Sequence, residues 1–203
     1  MGLLAVPIGR RVPLIVVFFF IGVFLWLFGG DFFPDYWATM GGTVSFYVAM
    51  FFASIFIADA RLQKELRTPI QTAGLPYLVS FVVTFIVTSV LFATGKGELS
   101  IPMVVLQVAI VAPTEELMFR GVLLSYLGYG LLAIGFQAAF FAAWHWVVYT
   151  GLVGLDWSAI TALTVAFVFG LLMGLLARDK RWGLPATMAC HAAFNIAILG
   201  VLI

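Results

Sequence analysis

Long, almost uninterrupted apolar runs recur along this chain, and they limit the folds open to it more than any other feature. A helix crossing a bilayer needs about 17–25 mostly apolar residues. Seven stretches meet that length: 12–28, 38–58, 75–93, 101–127, 130–149, 158–177 and 184–203. The runs are continuous rather than alternating, which points to helices and away from a membrane barrel. The expected fold class is all-α: a polytopic transmembrane helical bundle of about seven spans, forming one integral-membrane domain over residues 1–203. Composition agrees, with 64% hydrophobic and 9% charged residues, where soluble domains carry about 25% charged. A net charge of +1 without a long basic run excludes a nucleic-acid partner.

The ends of the runs carry helix signals. Ser100 with Pro102, Pro76, Pro185, and Asp156 just before Ser158 all stand where helices begin. Arg10-Arg11 followed by the 12–28 run resembles a signal peptide, but no small-x-small site follows it, so it reads as a retained first span. Arg10, Arg11, Arg61, Lys64, Arg67, Arg178, Lys180 and Arg181 fall in alternate loops, and Lys96 alone falls on the other side. The positive-inside rule then sets the N-terminus in the cytoplasm and the C-terminus outside. Residues 59–67, with Leu62 and Leu66 among charges, suit an interfacial helix or a solvated loop equally. Cys190, the one cysteine, excludes an internal disulfide and reads as a small packing residue.

Within the apolar runs the polar residues are few and concentrated. Glu115, Glu116 and Arg120 share the fourth run, where an ionised side chain at mid-bilayer costs about 2.5–3.5 kcal/mol on insertion scales. Pro113 should kink or restart the helix just before them. Glu116 and Arg120, four apart, share a face and can form an ion pair, which leaves Glu115 chemically distinct. If the fourth and fifth runs turn near Gly128–Gly130, Glu115 and His145 lie roughly 20 and 22 Å from that turn and so at similar depth. His191 and Asn195 share a face of the last run, roughly 10 and 16 Å in. Taken singly, either histidine is as well explained by a bond to a neighbouring helix, and Glu116 with Arg120 by a structural ion pair. Phe141, Trp144 and Trp146 read as packing, with the tryptophans also suited to the external interface. Five such groups on three spans of a charge-poor chain favour a site.

Glu115-Glu116-x-x-x-Arg120, Phe141-x-x-x-His145 and His191-x-x-x-Asn195 resemble, in order, the three motifs of the CAAX-protease and bacteriocin-processing (CPBP, or Abi) family. Ala-Pro-Thr-Glu-Glu-Leu-Met-Phe-Arg-Gly is similar to that family's context around the first motif. The resemblance covers residues 101–203 as a catalytic core and leaves 1–100 as three accessory spans. It implies an intramembrane glutamic-type endopeptidase with no metal and no other cofactor. By the same resemblance Glu115 is the general base, His145 polarises the water, and His191 and Asn195 donate to the oxyanion. Glu116 and Arg120 then support the site. The implied partners are a peptide or lipidated protein substrate, prenylated or otherwise membrane-associated at its C-terminus, and the lipid bilayer.

Other classes keep a place. Two Glu and two His could hold zinc for a metal-dependent protease, although no His-Glu-x-x-His is present. A non-catalytic scaffold or immunity protein, or a proton-coupled transporter, would use the same residues for binding or proton relay.

Overall fold

The computed structural model describes residues 47–48, 50–55, 70–91, 101–150, 156–179 and 183–202, and among them there is no strand. The expected span 12–28 and the segment 59–67 lie outside the described residues. Residues 47–48 and 50–55 are helical. Helix α1 follows (Ile70–Leu91), then α2 (Ile101–Leu106), α3 (Ala112–Glu116) and α4 (Leu124–Leu127), then α5 (Leu131–Thr150), α6 (Trp157–Arg178) and α7 (Gly183–Leu202).

Helices α2, α3 and α4 form one continuous rod, joined by π-helical segments at Gln107–Val111 and Leu117–Leu123. The sequence predicts a kink or restart at Pro113. α-Helical geometry does restart there: Pro113 stands in the first turn of α3, directly after the π segment Gln107–Val111. Helix α1 begins earlier than expected, so Pro76 lies within it. That leaves a single backbone carbonyl near the open end of the helix without its donor. Elsewhere the start signals hold. Asp156 caps α6 through Oδ1, which accepts from the Ala159 N–H at 2.7 Å and from the Ser158 hydroxyl at 2.6 Å. These two bonds hold the Asp156 carboxyl below its usual range. The rod ends at Gly128, whose φ of 81° only glycine adopts without strain.

Helix α7 lies centrally, packed along α1 on one side and against α3 and the first π segment on another. Helix α5 packs along α6, and glycines let them meet closely. A methyl at Gly170 would stand 3.0 Å from the Ala138 Cα, and one at Gly174 would stand 2.7 Å from Ile134 Cγ2. Two small residues four apart on one face are the usual device for helix contact in lipid. The core between the helices contains Tyr47, Val111, Phe119, Phe141, Trp144, Phe169, Met173 and Cys190.

The outer faces are apolar. Leu78, Val83, Ile86 and Val90 on α1, Leu132 and Phe136 on α5, and Leu172 on α6 are all exposed. A water-facing surface rarely carries apolar patches of this extent, whereas hydrocarbon accepts them. Among the described residues α6 is long and apolar enough to cross a membrane, and Tyr77–Leu91, Leu131–Trp146 and Gly183–Ile198 are shorter apolar stretches.

The glycine contact is testable. Gly170→Val and Gly174→Val should each destabilise by about 1–3 kcal/mol through overpacking. Gly135, with nothing within 4 Å of an added methyl, should accept Ala with no loss or a gain of up to about 1 kcal/mol. Thermal unfolding in detergent compares the three.

Candidate functional site

Glu115 is presented by α3, the short α-helical piece between the two π segments, and it is buried. A π turn shifts the register of the helical residues beyond it, and such turns recur at functional sites. Opposite stand His145 of α5 and His191 of α7. Glu115 Oε2 lies 3.8 Å from His145 Nε2 and 3.7 Å from His191 Nε2. One ligand atom from each of the three residues falls within 4.8 Å of the others. The predicted convergence of acid and two imidazoles is therefore present. α7 packs directly on α3, which brings His191 to Glu115.

The other ring nitrogens determine what this cluster can do. His145 Nδ1 lies 2.8 Å from the Phe141 carbonyl oxygen, which can only accept, so Nδ1 carries the proton. His191 Nδ1 lies 2.8 Å from Glu116 Oε1, which also pairs with Arg120 Nη1 at 2.9 Å and acts as an ionised acceptor. In its neutral form each ring would then turn a lone pair at Nε2 toward Glu115 Oε2. Oε2 has no hydrogen-bond partner among the described residues. With both rings in that form three acceptors face one another, and the complementary guest is a donor or a cation. In this tautomer His191 cannot donate to an oxyanion; that role requires its imidazolium form.

Water meets the geometry. With hydrogen bonds of about 2.8 Å it bridges gaps of 3.7 and 3.8 Å without side-chain movement. Zinc is held at about 2.0–2.1 Å, which sets tetrahedral ligands roughly 3.3–3.4 Å apart, so the two gaps from Glu115 to the imidazoles would each have to close by several tenths of an ångström. The donor set itself, two imidazoles and a carboxylate with the far ring nitrogens bonded to a carboxylate and a carbonyl, does suit zinc.

Aromatic rings enclose the cluster. Phe141 lies 4.2 Å from the His145 ring and 5.6 Å from the His191 ring, and Phe169 lies 5.4 Å from His191. The Arg120 guanidinium stands 4.2 Å from the Phe141 ring centre. Its ion pair with Glu116 is fully buried, with both side chains 0% exposed. Glu116 pairs with Arg120 and lies against His191 Nδ1, while Glu115 Oε2 faces the gap. The His145 side chain keeps 14% exposure against 2% for His191, so access is from the His145 side.

Asn195 lies one turn beyond His191 on α7, about 6 Å along the axis. Its Nδ2 donates to Gln107 Oε1 at 2.8 Å, which leaves one amide hydrogen for another acceptor. Three participants are not singled out by the sequence pattern. Gln107 is a lone amide in an apolar run, the kind of residue that signals a partner. Trp144, expected to pack or to anchor at an interface, is buried, and its Nε1 donates to Glu115 Oε1 at 3.2 Å. Tyr47 donates to the same oxygen at 2.6 Å from 68 residues away, a relation no local pattern discloses.

Of the comparisons with known proteins, a family model described as type II CAAX prenyl endopeptidase Rce1-like matches residues 97–197. No curated protein and no solved structure matches.

Glu116→Gln should strip Arg120 of its counter-charge and destabilise by about 3–5 kcal/mol, lowering the folded yield. Adding Arg120→Met should recover much of that loss, because an apolar replacement leaves no unpaired charge. Monodisperse yield and unfolding temperature read both effects.

Proposed function

We propose that this chain, whose residues 97–197 belong to the Rce1-like family of type II CAAX prenyl endopeptidases, is an intramembrane endopeptidase that hydrolyses a peptide bond with a water activated by Glu115 and His145. The single observation behind this reading is the convergence of Glu115, His145 and His191, with Glu115 Oε2 3.8 and 3.7 Å from the two Nε2 atoms. A water seated there donates one hydrogen to Oε2 and the other to an imidazole, so its oxygen is free to attack a carbonyl. Glu115 takes the proton as the C–O bond forms and returns it to the leaving amine as the C–N bond breaks. The remaining Asn195 amide hydrogen serves the oxyanion, an interaction worth about 10²–10³ in rate where bulk water is excluded. Phe141 and Phe169 keep bulk water from the gap and strengthen each electrostatic contact.

The substrate class under this reading is a prenylated, or otherwise membrane-associated, C-terminal tail. The apolar outer faces of α1, α5 and α6 favour a reactant delivered from the bilayer. The N-terminus is cytoplasmic and the C-terminus external in the same proposal, following the distribution of loop Lys and Arg.

A metal-dependent protease is the second reading, favoured by the bonds that His145 and His191 make at Nδ1. Purified protein and an internally quenched farnesylated peptide separate the two. In the glutamate reading, cleavage persists in excess chelator, Glu115→Gln loses at least about 10²-fold in turnover, and Asn195→Ala loses about 10²–10³-fold. Cleavage abolished by chelator and restored by zinc would establish the metal reading instead.

A further inference from the structure

The two oxygens of Glu115 have opposite surroundings. Oε2 faces the imidazole nitrogens with no hydrogen bond, while Oε1 receives two, from the Tyr47 hydroxyl at 2.6 Å and the Trp144 indole at 3.2 Å. A carboxylate held at neither oxygen can turn about its last bond and offer either one. With Oε1 held from two sides, Oε2 is the oxygen presented to the gap. The Tyr47 bond also falls within the range of about 2.5–2.7 Å for a hydroxyl bound to an ionised carboxylate. Donors of this kind are what let a carboxylate remain charged where water is scarce.

We propose that Tyr47 and Trp144 are positioning residues for the base: they occupy Glu115 Oε1 and fix Oε2 as the oxygen that takes the proton from water. The proposal rests on the reading of Glu115 as general base. Tyr47 lies outside the matched residues 97–197, so the N-terminal part of the chain completes the site. A second contact supports this docking, since the Thr114 hydroxyl, next to Glu115, donates to the Tyr47 carbonyl at 3.4 Å. Tyr47 is buried with Met50, Val111 and Trp144, so the phenol enters as part of the core.

The test uses the full chain in detergent with an internally quenched farnesylated peptide. Tyr47→Phe keeps the ring and removes one donor. It should lower kcat by about 10-fold or more, the worth of a charge-assisted hydrogen bond, with KM within about twofold and the unfolding temperature little changed. Trp144→Phe should act the same way with a smaller effect, as its longer bond implies. The infrared carboxylate band assigned to Glu115, by difference from Glu115→Gln, should shift in Tyr47→Phe; this readout needs no turnover. Wild-type kcat in both variants with an unmoved band would overturn the proposal. A wild-type protein inert to the peptide would remove the farnesylated tail as substrate, and the band alone would then decide the Tyr47 contact.

Discussion

Each of two imidazole rings gives its Nδ1 proton to a group that only accepts, one to the Phe141 carbonyl and one to the Glu116 carboxylate. The rest of the site depends on those two bonds. In the neutral rings they leave lone pairs at both Nε2 atoms, opposite the unbonded oxygen of Glu115. An enclosure of three acceptors excludes an apolar guest and receives a donor. Water is the smallest donor with two hydrogens, and a water stripped of its hydrogens by acceptors is a nucleophile. The chemistry is therefore set by tautomers, and the tautomers by helix packing.

That packing is itself tied to charge. Buried Arg120 needs a counter-ion, Glu116 supplies it from one turn earlier, and the same Glu116 oxygen fixes His191 on α7. One ion pair thus positions a ring on another helix, a structural role with a direct chemical consequence. On the far side, Gly170 and Gly174 let α6 approach α5, which presents His145, and bring Phe169 over the His191 ring. The π segments flank α3, which carries Pro113 and aims Glu115 and Glu116 at different partners.

Much of this is legible in the chain, for physical reasons. Charge inside an apolar run is costly enough to be rare, so Glu115, Glu116, Arg120, His145 and His191 stand out. Depth along antiparallel helices places Glu115 level with His145, and the spacing of four pairs Glu116 with Arg120. The features that stay hidden depend on tertiary contact. Tyr47 is an aromatic in an aromatic-rich run, and nothing in its neighbours marks the hydroxyl as a partner of Glu115. Trp144 looks like every other tryptophan near a helix end. Pro113 marks where α-helical geometry restarts, but nothing in its neighbours discloses the π segments on either side. The acceptor state of His191 is equally hidden, since it depends on which of two glutamates reaches its Nδ1.

Nitrogen-15 NMR of the protein labelled at histidine tests the central claim most directly, because the shifts of the two ring nitrogens report which one holds the proton. The account predicts that His145 and His191 both carry a proton at Nδ1 at the working pH. Either ring found with its proton on Nε2 and a bare Nδ1 would contradict it.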